Sequence, residues 1–284
     1  MSSKVLQTSP TFLVQDNAAS PIGVLRLVGP DAARFLQGQV TQEVAALPSG
    51  HWARAALCTA QGRILALLKI VAMPEGLWLV LPAERLAAIR DHLQRFVLRA
   101  KVKLVTDDSL VVSTCAGSGH GSAAAGQAFQ SVARAAEALV LPLSATRQLC
   151  LSGEPTGALA ATSLPTLTMG VPLAWPEWLA ACVADGEPEV FNASMEKWTP
   201  HMLAQDQWQA ISLTKGCYTG QEIVARTHYL GKNKRRLERV ELPADALRAP
   251  GETFDLPDER RAEWVLGVAR EIGNEALVVT ASPG

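Results

Sequence analysis

The sequence predicts an α+β fold. Short segments rich in β-formers recur from residue 23 to residue 280, one amphipathic helix stands out at residues 82–96, and the last alternating segments follow one another with no helical pattern between them. A chain of 284 residues is long for one core, so two or three packed units are expected.

Residues 23–28 alternate and are β-rich, which reads as a strand, and Gly29-Pro30 breaks it. Asp31 then stands where a helix N-cap is expected, ahead of a helix over 32–39 whose apolar face carries Phe35 and Leu36. Residues 53–59 and 64–73 read as two strands joined by the turn Ala60-Gln61-Gly62, and 77–81 as a third. In the helix at 82–96, Leu86, Ile89, Leu93 and Phe96 recur at helical spacing. Residues 102–105 and 110–113 are further strands. Residues 117–126, rich in Gly, Ser and Ala, form a loop; having no Lys, they do not match a phosphate-binding loop. The run 128–139 is read as a helix, 140–143 and 148–152 as strands, and 154–164 as a short helix or loop. From Met169 to Pro188 the prolines predict an irregular stretch, crowded with tryptophans. Residues 222–227 fit either a helix or a strand, and 236–242, 263–270 and 276–280 read as strands of a small terminal unit.

Composition excludes several classes. With 48% hydrophobic and 19% charged residues the chain is globular rather than disordered. A formal net charge of −1 gives no global reason for nucleic-acid or membrane binding, and no apolar run is long enough to span a bilayer. Residues 1–15 lack a basic start followed by an apolar core, so a cytoplasmic location is expected. The five cysteines, Cys58, Cys115, Cys150, Cys182 and Cys217, are widely spaced, which predicts reduced thiols and no metal site.

The run 215–237 has chemistry unusual for a structural segment. Gly216 and Gly220 permit tight turns and close approach. Cys217 lies in sequence between Lys215 and the cations Arg226, Lys232, Lys234 and Arg235, a setting that favours a reactive thiolate. Gln221 and Glu222 add polar groups beside it. Lone cysteines are usually small buried hydrophobes, the reading given to Cys58, Cys115, Cys150 and Cys182, whereas Cys217 is read as functional. The basic residues from Arg226 to Arg239 form either a solvated face or a binding surface.

This run resembles the signature of the YgfZ-type folate-binding proteins, relatives of the glycine-cleavage T-protein: Lys-Gly-Cys-Tyr-x-Gly-Gln-Glu, then Gly-x-x-x-Arg. The core is matched from Lys215 to Glu222 and the tail by Gly231 and Arg235. Residues 25–41 resemble the family's N-terminal signature, and Gln61-Gly62-Arg63 is a weaker third match. The resemblance implies a T-protein-like folate-binding core (residues 1–50 and 106–235), interrupted by a ferredoxin-like α+β unit (51–105) and followed by a small β-barrel (236–284). It implies Cys217 as the functional thiol, and a cofactor, tetrahydrofolate or a derivative, near Lys215, Gly216, Tyr218, Gly220, Gln221, Glu222, Arg226 and Arg235. It also implies support for the assembly or repair of iron–sulfur enzymes, tRNA-modifying ones among them. The partners implied are folate and iron–sulfur proteins or their assembly machinery, with no membrane and no direct nucleic-acid contact.

Two segments depart from the family. Its Glu-Ala-Gly-x-Pro-like segment is aligned with Thr168-Met169-Gly170-Val171-Pro172, which puts Thr168 where an acid would pair two donors of a pterin. Its Pro-Gln-x-x-Asn pattern becomes Pro200-His201-Met202-Leu203-Ala204. Both departures predict weaker folate binding, and the absence of a counterpart to the T-protein's catalytic Asp argues against true aminomethyl transfer. A folate-dependent one-carbon transferase and a docking protein that has lost folate are the alternatives.

Overall fold

The computed structural model describes residues 21–106, 109–117, 128–135, 138–153, 164–231, 233–243, 246–269 and 273–282. The expected segments 1–15 and 154–163, residues 118–126 of the expected loop, and Lys232 lie outside them.

Strands β2 (His51–Cys58), β3 (Ile64–Met73) and β4 (Gly76–Pro82) are buried along nearly their whole length instead of alternating. A strand without a polar face must be covered on both sides. These strands form the middle of a six-stranded antiparallel sheet with β1 (Ile22–Val28), β5 (Lys103–Thr106) and β7 (Gln130–Ser131), in the order β5-β1-β4-β3-β2-β7. On one face Leu25, Leu57, Leu68 and Ile70 pack with Phe35 and Leu36 of α1 (Ala32–Gln37) and with Ile89 and Leu93 of α2 (Leu86–Gln94). On the other, Trp52, Leu67, Val71 and Trp78 enter a larger core shared with both remaining sheets.

The second sheet has the order β6-β10-β9-β8, from β6 (Val111–Ala116), β8 (Ala133–Ala135), β9 (Ala138–Pro142) and β10 (Arg147–Ser152). The third has the order β11-β14-β13-β12, from β11 (Arg235–Leu242), β12 (Thr253–Asp255), β13 (Arg261–Ala269) and β14 (Asn274–Ala281). Helix α3 (Trp175–Asp185) buries Trp178, Leu179 and Val183 in the large core, together with Leu149 and Leu151 of the second sheet and Leu266 and Leu277 of the third. Helix α4 (Gln221–Leu230) follows the Cys217 loop.

The structure thus mixes α and β, with antiparallel sheets dominant and few helices. The boundary expected at residue 51 falls inside the first sheet, because β1 pairs with β4 and β5; the strands that make a separate sheet come from residues 111–152 instead. The expected terminal β-barrel is, among the described residues, an open four-stranded sheet with β11 and β12 at its edges. Most of the described residues of the expected helix at 128–139 are strand: Ala133 and Ala135 are buried around a half-buried Arg134, a two-residue period too short to separate from a helical one by sequence. Helix α3 was hidden by Pro176. At the first turn of a helix a missing N–H has no partner to lose, and the Glu177 carboxylate accepts the Ala174 N–H at 2.8 Å to complete the start. Asp31 occupies the N-cap position of α1 but does not cap it; its carboxylate accepts the Lys101 N–H at 2.7 Å and ties the helix start to the approach to β5.

Candidate functional site

Two segments far apart in sequence form one structural unit around Cys217. Lys215 is 6% exposed, and its ammonium donates to the carbonyls of Gln37, Val40 and Gln42, each at 2.7 Å. All three of its N–H donors are therefore committed to the turn after α1. Burial lowers the ammonium pKa to about 8, partly offset by Glu43, so it remains protonated at neutral pH. Around it, the Thr219 N–H bonds the Gly38 carbonyl at 3.2 Å, and Thr41 Oγ1 donates to Ala210 O at 2.6 Å while accepting the Ala56 N–H. The Gln42 amide donates to the carbonyls of Gln209 and Arg54.

The far end of the loop is held by a glycine contact. Gly220 has φ +84°, and a Cβ there would lie 2.5 Å from the Thr59 carbonyl oxygen. Gly62, in the β2–β3 turn, has φ +68°, and a Cβ there would lie 2.8 Å from Ile223 of α4. Left-handed backbone and near contact both require glycine, so the turn around Gly62 seats the start of α4.

The site residues expected from sequence divide cleanly. Lys215, Tyr218 and Gly220 point into the protein as scaffold; burial pushes the Tyr218 phenol above its usual range. Gly216, Cys217, Glu222 and Arg226 are exposed, and Gln221 is half-buried at the helix start. Arg235 lies in β11, where it pairs at 2.8 Å with Glu263, which also accepts the Trp198 indole N–H at 2.7 Å. That is a link between the third sheet and the core. Cys217 is the exposed one among five free cysteines. By contrast, burial pushes the thiols of Cys58 and Cys182 up to about 12.

A second feature joins the sheets at the molecule's centre. Glu187, just past α3, accepts from Arg54 at 3.1 Å and from Arg147, with Lys69 at 3.5 Å. Burial alone would raise its pKa, but Arg54, Lys69 and Arg147 outweigh that and hold the carboxyl well below the usual range. Arg147 also bonds Asp185 at 2.6 Å, and the Arg54 guanidinium lies 4.9 Å from the Trp52 ring centre and 4.7 Å from that of Trp208. Two small cavities beside this cluster measure about 10 Å³ each.

A third feature is an open cavity of about 580 Å³ beside the C-terminal end of α4, with His201, Ala204, Asp206 and His228 in its wall. Among the described residues no cluster of three or more His, Cys, Asp or Glu side chains could hold a metal, and no helix is long and apolar enough to cross a membrane.

No protein-family model matches the chain. It is 28% identical over 285 residues to the tRNA-modifying protein YgfZ of Pectobacterium carotovorum subsp. carotovorum (strain PC1), covering 96% of this chain and 83% of that protein. It is 29% identical over 271 residues to the protein of the same name from Yersinia enterocolitica serotype O:8 / biotype 1B, covering 92% and 79%. The chain is similar to YgfZ proteins over most of its length. Among solved structures, its fold is similar to that of the glycine cleavage system aminomethyltransferase T from Bartonella henselae, with a TM-score of 0.61 at 15% identity, covering 92% of this chain and 76% of that one.

Thr168, aligned above with an acidic position of the family, does not lie in the interior. Thr168 lies on an exposed extended segment, where its carbonyl accepts from Gln148 at 3.4 Å. A second Gly-x-Pro, Gly186-Glu187-Pro188, is flanked by Asp185 and sits in the interior with its acids paired to cations. The repeated Gly-x-Pro spacing was visible in the sequence; which copy faces the interior was not. Thr41 and Gln42, the residues that bond the 209–212 segment, lie at the end of the N-terminal match, but no local signal marked them as its partners.

Proposed function

We propose that this chain is a folate-binding accessory protein of tRNA modification that supports iron–sulfur enzymes through Cys217. The observation that carries the reading is the contrast around this thiol: Lys215, Tyr218 and Gly220 anchor the loop from inside, while Cys217 and Gly216 face outward. A thiol presented this way can reach a partner protein or a small electrophile without unfolding its own support. The names of the relatives supply the tRNA-modification part of the reading, and the T-protein-like fold supports the folate part. The iron–sulfur part follows the sequence resemblance around Cys217.

The centre of the molecule does not fit a pterin as it stands. Both oxygens of Glu187 are committed to cations, and cavities of about 10 Å³ have room for one water. The open cavity beside α4 has the size and the uncommitted polar groups that a folate needs. Tetrahydrofolate, when bound, would supply a one-carbon carrier.

Replacing Cys217 with Ala tests the role of the thiol. Activity of an iron–sulfur tRNA-modifying enzyme in cells should fall to the level seen without the protein, while the melting temperature stays unchanged because the side chain is exposed. Full enzyme activity in the Cys217→Ala strain would refute the assignment. Turnover of a one-carbon unit by the purified chain would favour a transferase instead.

A further inference from the structure

The net charge of −1 hides an uneven distribution. Residues 90–103, from the last turn of α2 to the start of β5, carry five Lys or Arg side chains and one carboxylate, Asp91, which pairs with Arg90 at 2.9 Å. The other four cations, Arg95, Arg99, Lys101 and Lys103, are exposed and have no ion pair among the described residues. The next acids in sequence, Asp107 and Asp108, follow the far end of β5 and lie outside the described residues.

The backbone of this segment is tied down. The Arg95, Phe96 and Val97 N–H groups bond the carbonyls of His92, Leu93 and Gln94 at 3.3, 3.0 and 3.2 Å, which carries the end of α2 onward. Lys101 is clasped by Asp31: its N–H meets the Asp31 carboxylate at 2.7 Å, and its carbonyl accepts the Asp31 N–H at 3.4 Å. Val97, Ala100, Val102 and Leu104 turn inward and pack against the core beneath α1 and α2. Phe96 and Leu98 do not, and stand 41% and 86% exposed among the cations.

Lysines beside an edge strand keep other strands from pairing with it, and Lys101 and Lys103 fit that role at β5. The role does not account for Arg95 and Arg99 on the α2 side of the turn, nor for two apolar side chains left outside. Apolar groups set among unpaired cations mark a contact surface for a polyanion that also has apolar faces.

Helix α1 connects this patch to the Cys217 loop. Asp31, at its start, holds Lys101, while at its end the Gln37 carbonyl accepts from Lys215 and the Gly38 carbonyl from the Thr219 N–H. Seven helical residues separate the two attachments by about 10 Å. Arg34 lies on α1 between them, exposed and without an ion pair among the described residues. A line of cations therefore leads from the α2–β5 turn toward the exposed thiol.

We propose that this face binds RNA, with Arg34, Arg95, Arg99, Lys101 and Lys103 on its phosphates and the Phe96 ring against an unpaired base. Cations that neutralise phosphates supply most of the affinity for a nucleic acid, and an exposed aromatic face stacks on any base. Two apolar side chains offer too little area to hold a chain in lipid. The choice of RNA among polyanions rests on the tRNA-modification part of the proposed function; the folate and iron–sulfur parts do not enter it. It departs from the expectation of no direct nucleic-acid contact that the sequence resemblance gave.

The test uses the full chain, a full-length tRNA transcript, and vesicles of phosphatidylglycerol and phosphatidylcholine. Fluorescence anisotropy follows tRNA binding between about 50 and about 200 mM salt, and affinity should fall roughly 100-fold across that range. The variant Arg95→Gln/Arg99→Gln/Lys101→Gln, altered only at exposed positions, should keep its melting temperature, bind at least about tenfold more weakly at low salt, and lower the slope of log affinity against log salt by about two. Phe96→Ala should weaken binding roughly fivefold or more with the slope unchanged, which separates stacking from charge. Cys217→Ala should leave tRNA affinity as it is. Equal tRNA affinity in the wild type and the triple variant, or no tRNA binding at all, would overturn the proposal. So would binding to the vesicles, lost in the triple variant, in place of tRNA. Each of these results leaves the role of Cys217 to its own cellular assay.

Discussion

The loop that carries Cys217 and the cavity at the far end of α4 are joined by one helix, yet they treat their polar groups in opposite ways. Under the loop every donor of Lys215 has a carbonyl, Thr41 and Gln42 are fully engaged, and two glycines interlock. Beside the cavity both His201 ring nitrogens are buried with no partner among the described residues, and Ala204 sits at φ +53°, a left-handed conformation that favours Gly or Asn. A region whose internal bonds are complete is a support. A region with unpaired groups is less completely bonded, although left-handed backbone also occurs beside the support, at Gln209 with φ +54°.

This contrast can be broken from the rigid side first. Lys215→Met keeps the apolar stem but removes the ammonium from three buried carbonyls, and should destabilise the protein by about 3 kcal/mol. Urea unfolding checks this, and a loss under about 1 kcal/mol would mean the carbonyls find other donors. Gly220→Ala places a methyl against the Thr59 carbonyl oxygen in a left-handed backbone, and should cost about 2 kcal/mol. Its diagnostic readout is faster hydrogen exchange at the start of α4, and unchanged exchange there would show that the turn around Gly62 does not seat the helix. The smallest effect has the opposite sign. Ala204→Gly relieves the left-handed strain and should stabilise by up to about 1 kcal/mol in a thermal melt. A destabilised Ala204→Gly variant would remove strain from the description of the cavity.

Much of the architecture could be read from the residues. The strand pair around Gln61-Gly62, the strands at 77–81 and 148–152, the amphipathic helix and the terminal strands all lie near where periodicity and turn chemistry put them, because each is specified by contacts within a few residues. Errors came where local signals conflict. Pro176 looked like a breaker and proved to be a helix start, and the Ala-rich run at 128–139 carried too short a pattern to distinguish helix from strand. Cys217, set apart in sequence from the other four cysteines, is also the exposed one.

By itself, then, the sequence determined the α+β character, most of the strands, the distinct setting of Cys217 and the likeness to YgfZ proteins. Only the tertiary structure decided that Lys215 is an internal anchor rather than a thiolate partner, that Arg235 is tied to Glu263, and that Glu187 is the acid held in the interior. The physical reason is sequence distance. Periodicity reports what a residue meets within a turn or two of its own segment, whereas the direction of a long side chain is set by whichever buried carbonyl or charge the folded chain brings beside it. For Lys215 that partner is more than 170 residues away.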